Sequence, residues 1–234
     1  YQPSLEAEQI KALVARGADG LLLIGYERDE AIYDYLERRQ IPIVLAWAYD
    51  PEKPQVSVGF DNRVAMQTLA DTVISMGHRR IAVISGITTG NDRAALRLAG
   101  IKDALASHAL NSESLQIIET SYEIESGAAA FEVLMQSASR PTVIMCGNDV
   151  LAAGAISKAN ELGLRLPDDV SITGFDDIEL ATIVQPPLTT VHVPHREMGR
   201  IAGQELINMV EKRSTGVKRQ LAVSIKMRGS LTQV

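Results

Sequence analysis

Short apolar runs ending at or near glycine alternate along this chain with longer amphipathic stretches. "GLLLIG" (20–25), "IPIVLAW" (41–47) and "QVSVGF" (55–60) come first. "RRIAVISG" (79–86), "LQIIET" (115–120), "TVIMCG" (142–147) and "DVSITGF" (169–175) follow, and "QLAVSIKMRGS" (220–230) closes the series. Each is too short for a helix core and too continuously apolar for a half-exposed strand, so each predicts a strand buried on both faces. Between them lie helical patterns. Leu5–Ala15 carries Ile10, Leu13 and Val14 at helical spacing and stops at Gly17. "DEAIYDYLERRQ" (29–40) is a second helix, and a third carries Ala65, Met66, Leu69, Val73 and Ile74, capped by Asp61 or Asn62 and stopped by Gly77. "DRAALRLAGIKDALAS" (92–107), "SGAAAFEVLMQSA" (126–138), "DVLAAGAISKANELG" (149–163) and a long helix from His195 to Lys212 complete the set. Strands spaced by amphipathic helices predict an α/β fold, a mostly parallel sheet covered on both faces, with right-handed crossovers.

The first half supplies only about three strands through residue 76, and no strand precedes "GLLLIG". The chain begins at Tyr1 without a methionine. Both features read as a fragment, with at least one strand–helix unit expected upstream. No low-complexity segment or internal repeat interrupts the pattern.

Composition narrows the functional classes. The 234 residues are 46% hydrophobic and 22% charged, enough for one large or two modest domains. The formal net charge is −6, which argues against gripping nucleic acid with this piece, because phosphate binding needs clustered Lys and Arg. A single cysteine, Cys146, excludes an internal disulfide and sits inside an apolar strand as an inert thiol. No apolar run reaches the length of a membrane helix. The serine-hydrolase elbow, the phosphate loop, the zinc-protease helix and the dinucleotide fingerprint are all missing. His78, His108, His192 and His195 show no metal-ligand spacing, and His78 in "GHRR" is expected in an exposed turn. Neither metal, cofactor nor catalytic residue is expected.

Ligands of open α/β sheets bind beyond the carboxyl ends of the strands. The polar residues after each strand of the second stretch are Arg97, Tyr122, Asn148 with Asp149, and Asp176 with Asp177. A guanidinium, a phenol, an amide and carboxylates on one rim suit a polyol. Arginine and aspartate each engage neighbouring hydroxyls, and an aromatic ring covers a sugar's apolar face. The same types also cap helices, and capping is at least as good a reading of Asn148, Asp149 and Asp176 taken singly. Asp149, directly before "VLAAGA", reads better as a cap than as a ligand. Trp47 is suited to core or to a site at a strand end.

Five motifs in order, "SMGHRRIAVISG", "RLAGIKDAL", "CGNDVLAAGA", "GLRLPDDVSITGFDDIELA" and "PPLTTVHVPHREMGRIAGQELI", closely resemble the effector-binding core of the lactose/galactose-repressor family of bacterial transcription regulators. The resemblance covers nearly the whole chain. It implies two similar doubly wound parallel-sheet subdomains of the periplasmic-binding-protein-like type. The N-terminal subdomain (1–76 plus 193–219) would be truncated, and the C-terminal one would be 77–192 plus 220–234. The implied effector, a sugar, sugar acid or nucleobase, lies in the cleft between them and changes operator affinity allosterically.

Carried over by position, Arg97 matches the effector-gripping arginine, Asn148 and Asp176 match polar contacts, and Tyr122 matches the aromatic wall. Trp47 and Asp61 border the cleft from the other subdomain. Val193 stands where the family often has glutamine, which removes a polar contact. The resemblance also implies a homodimer, with Ile183, Val184 and Ala153 as the candidate interface and core packing as the equal alternative. Operator DNA would bind through a headpiece absent from this chain, in the cytoplasm and with no membrane contact. A periplasmic sugar-binding protein of a transport system is the alternative, and an α/β enzyme is a third class that the missing motifs disfavour.

Overall fold

The computed structural model describes residues 3–234. Eight helices and ten strands follow the predicted alternation: α1 (Pro3–Ala15), β1 (Leu21–Ile24), α2 (Glu30–Arg38), β2 (Ile43–Ala46), β3 (Ser57–Gly59), α3 (Asn62–Ser75), β4 (Ile81–Gly86), α4 (Asp92–Ser107), β5 (Gln116–Thr120), α5 (Ile124–Met135), β6 (Val143–Cys146), α6 (Asp149–Glu161), β7 (Ser171–Asp176), α7 (Leu180–Ile183), β8 (Thr189–His192), α8 (His195–Val210), β9 (Arg219–Gln220) and β10 (Ser224–Lys226). By packing, the chain divides into two compact units. Among the described residues the first holds 3–62, 89–93 and 194–222, and the second holds 63–88, 94–193 and 223–234.

The first unit is built on a parallel sheet in the order β1-β2-β3-β9. Ile10 and Val14 of α1 and Ile32 and Leu36 of α2 close a small core against Leu21. Helix α8 covers the sheet, with Leu206 and Val210 packed where Gly20 has no side chain. Asp29 caps α2 by accepting the Ala31 amide at 2.9 Å.

The second unit carries six strands in the order β10-β8-β7-β6-β4-β5, all parallel except the β10–β8 pair. Helices α5 and α6 pack against each other and onto β4, β6 and β7, burying Phe131, Leu134, Leu151, Ile156, Ile144 and Ile172. Every residue of β4 and β6 is buried. That matches the continuous apolar runs, since a central strand has no wet face. From Arg63 onward α3 packs in this unit, its backbone close against Gly100 of α4. The boundary expected at Met76–Gly77 thus falls one helix later than the packing division.

Two expectations are corrected. The run "QLAVSIKMRGS" is not one strand. Arg219–Gln220 pair parallel with Val58–Gly59, whereas Ser224–Lys226 pair antiparallel with Thr190–His192 in the other sheet. The alternation of apolar residues marks strand character but not the partner. His78 is fully buried, not in an exposed turn. Its Nδ1 lies 2.9 Å from the Thr142 hydroxyl and its Nε2 2.9 Å from the Thr232 carbonyl. The C-terminal tail covers it, and the Val234 amide donates to the Met76 carbonyl. Burial lowers the imidazole's pKa.

Candidate functional site

In the second unit the carboxyl ends of β6 and β7 converge on Arg97. This residue sits on the second turn of α4, and only 7% of it is exposed. Its guanidinium carbon lies 3.8 Å from the centre of the Phe175 ring, a cation–π stack on a buried aromatic. Nη1 donates to the Gly147 carbonyl at 2.7 Å, and Nη2 stands 3.6 Å from Oδ1 of Asp176. One guanidinium is thereby fixed by the ends of β6 and β7. The structure brings Arg97 and Asp176 together, as the rim argument expects, with the donor fork and the carboxylate side by side.

Asp176 and Asp177 adopt φ of 109° and 59°. Two consecutive non-glycine residues in this region cost about 1–3 kcal/mol each, so surrounding contacts must hold them. Asp177 is clamped by Arg228 Nη2 at 2.6 Å and by His192 Nδ1 at 2.8 Å. Burial alone would raise its carboxyl, but the hydrogen bonds from Arg228 and His192 outweigh that and hold it below the ordinary carboxylate range. Asp177 shapes the turn, and Asp176 keeps 20% of its side chain exposed.

Asn148 is the N-cap of α6, its Oδ1 accepting the Leu151 amide at 2.9 Å. Capping accounts for that oxygen, and the amide nitrogen is the end not used in the cap. Asp149 does not cap. It is fully buried, its Oδ1 accepting from the Thr190 hydroxyl at 2.6 Å and its Oδ2 from the Ile178 amide at 2.8 Å. Burial pushes its carboxyl up to about 7, against those two hydrogen bonds and with help from the charges of Asp176 and Asp177. Tyr122 is half-buried beyond β5. A Cβ at Gly86 would fall 2.2 Å from its Cζ, so the glycine lets the phenol ring lie against the end of β4. Val193 is buried and joins the core. So does Cys146, whose thiol burial pushes upward.

The first unit has its own carboxyl-end rim. Trp47 follows β2 at φ 61°, half-exposed, its carbonyl accepting from Asn62 Nδ2 at 2.8 Å. Its ring centroid lies 5.9 Å from that of His195, at the start of α8. Asp61 follows β3 and is half-buried. Beyond β1, the Tyr26 hydroxyl donates to Ser57 Oγ at 2.8 Å and accepts the Asp50 amide at 3.0 Å. Sequence reasoning gave Asp149 the wrong role, as a cap, and gave His192, Arg228 and His195 no place at the rim. The pairings that place Asp149 and Arg228 run across 41 and 51 positions, and such separations leave no local signal.

Of the residues considered for a subunit contact, Ile183 is 66% exposed at the end of α7. Val184 is partly buried against the core and Ala153 is buried within the unit, so Ile183 offers nearly all of the apolar surface. Among the described residues no helix is long and apolar enough to cross a membrane.

Comparison with known proteins places this geometry. Residues 70–231 match the periplasmic binding protein-like domain family. The "HTH-type transcriptional repressor PurR" of Vibrio atlanticus is 34% identical over 211 residues, which is 88% of this chain and 62% of that repressor. The chain thus spans less than two thirds of that relative's length. A crystallised transcriptional regulator of the LacI family from Burkholderia phymatum is 32% identical, covers 99% of this chain and 84% of its own, and superposes with a TM-score of 0.89. A transcriptional regulator CelR–cellobiose complex is 27% identical, covers 97% of this chain and 70% of its own, and has a TM-score of 0.85.

Proposed function

This chain belongs to the LacI family of transcription regulators, and on that premise we propose that it is the ligand-sensing part of a repressor. The two compact units act as its two subdomains. A small effector, a sugar, sugar derivative or nucleobase, is gripped at the carboxyl-end rim of the second unit by Arg97 and Asp176. The Asn148 amide nitrogen and the Tyr122 ring assist, and Trp47 and Asp61 are the candidate contacts on the first unit's own rim. The observation that carries this reading is the Arg97–Phe175–Asp176 arrangement. A buried guanidinium is held flat on an aromatic ring with a carboxylate beside it that keeps 20% of its side chain exposed. Such a pair offers donors and an acceptor to adjacent hydroxyls or to the edge of a base.

The protein senses rather than catalyses. An effector shifts its operator affinity only by binding one conformation better than another. Operator DNA is engaged in the cytoplasm by a headpiece outside this chain, and the net charge of −6 disfavours phosphate contact by this part. The neighbours in solved structures favour regulation over transport, being regulators themselves. Two copies associate through the face that exposes Ile183, and Ile183→Asp yields monomers by sedimentation. An unchanged dimer ends that assignment.

The decisive experiment is calorimetric titration with a panel of neutral sugars, sugar acids and nucleobases. Arg97→Ala weakens the hit by about ten- to a hundredfold, the value of a charged hydrogen bond. Near-normal affinity in the variant removes Arg97 from the site.

A further inference from the structure

The turn that carries Asp176 is held from two sides, and only one of them is exposed to the rim. In front, Asp177 is tied to Arg228 and His192. Behind it, in the protein interior, lies the carboxyl of Asp149, which belongs to a different strand–helix junction. We propose that Asp149 is the positioning residue for Asp176, its buried carboxyl fixing the left-handed turn at 176–177 against β8. The consequence for effector binding rests on the reading of Asp176 given above.

Four observations support this. First, Asp149 bridges two elements and not one, taking the Ile178 amide immediately after the left-handed pair and the Thr190 hydroxyl in β8. Second, the fold makes room for it. A Cβ on Gly174 in β7 would lie 2.3 Å from Oδ1 of Asp149 and 2.6 Å from Leu188, so β7 passes close only because residue 174 has no side chain. Third, Asn148 already caps α6, which leaves Asp149 without the ordinary task of an acid at a helix start. Fourth, a buried carboxyl is costly unless its hydrogen bonds repay it, and an apolar residue would fill the same space without that cost.

The chemistry adds a proton to the device. The titratable and charged groups around Asp149 are Asp176 and Asp177 on the turn, Cys146 at the end of β6, and Arg97 at the Gly147 carbonyl. Arg228 and His192 lie beyond Asp177. The ionised carboxylate accepts both donors. Protonation gives one oxygen a hydrogen of its own and weakens one of the two bonds. Burial places that change near neutral pH. The two hydrogen bonds are therefore strongest with Asp149 ionised, although burying that charge costs the fold more than they return.

The test needs no effector. In the 15N–1H spectrum of the ligand-free chain, the Asp177 and Ile178 amides should titrate together with a midpoint between about pH 6 and 8. Asp149→Asn, which keeps the shape and one acceptor, should abolish that titration while leaving the rest of the spectrum in place. Asp149→Ala should increase Ile178 amide exchange at least tenfold relative to the amides of β4 and β6. Flat amide shifts across pH 5–9 overturn the proposal, as does an unchanged titration in Asp149→Asn. So does an Ile178 exchange rate unmoved in Asp149→Ala. An effector whose affinity ignores Asp176→Ala would refute the site reading alone, because the spectral outcomes do not depend on it.

Discussion

"LLLIG" in β1 and "VIMCG" in β6 are nearly interchangeable as sequence, yet one is half in water and the other is sealed. Strand β6 runs between β4 and β7 under α5 and α6, and all four of its residues are buried. Strand β1 pairs only with β2 among the described residues, and Leu22 and Ile24 are 43% and 44% exposed. An apolar run thus records that a chain segment favours burial, whereas its neighbours decide how much burial it obtains. The polar residues that follow inherit the difference. Beyond β6, Asp149 is enclosed and its titration is displaced by burial. Beyond β1, Tyr26 is only half-buried, and burial raises its phenol against its hydrogen bonds with Ser57 and the Asp50 amide.

The sharpest way to break this comparison is to truncate the same residue type in each strand. Ile144→Ala in β6 should cost about 3 kcal/mol in urea-midpoint stability, because a closed core cannot collapse around the deleted methyls. A loss below about 1 kcal/mol would mean that the second unit is looser than its burial implies.

An effect of similar size is electrostatic. The folded-state pKa of Asp149 is raised, so its contribution is complete in acid and is lost as the pH rises through about 7. Relative to Asp149→Asn, wild-type stability should fall by up to about 1.4 kcal/mol per pH unit between roughly pH 4 and 7. His78 has the opposite sign. Burial lowers its imidazole pKa, so its contribution is present above the ordinary histidine value and is lost as the pH falls below about 6.5. The difference between wild type and His78→Gln should shrink on acidification, and parallel curves for the two proteins would exclude that linkage.

At the open sheet, Tyr26→Phe should cost about 1 kcal/mol, since it removes the partner of the Asp50 amide and the Ser57 hydroxyl. Smallest of all, Ile24→Ala should stay within about 0.5 kcal/mol, the range of an exposed position. A cost equal to that of Ile144→Ala would erase the distinction between the two strands.

The rim residues show how far pattern reading reaches. Arg97 and Asp176 were legible because the rule of strand carboxyl ends nominates them and five ordered motifs agree. Structure adds the Phe175 platform, beside Asp176 in β7, and the Gly147 carbonyl at the end of β6. Asn148 was correctly weighed as a cap. Asp149 was read as one and is not, because a helix-start acid facing inward has the same local sequence as one facing water. His78 was misplaced because the tail that buries it arrives from 154 residues away.

The sequence alone determined the alternation of strands and helices, the absence of familiar catalytic motifs, and the family, since periodicity and ordered motifs are local properties of the chain. Tertiary structure alone decided which apolar strand is central and which is an edge. It also decided that one closing run serves two sheets, and that a buried aspartate stands behind the turn of Asp176. Each of these depends on which distant backbone lies within hydrogen-bonding reach, and no local pattern carries that information.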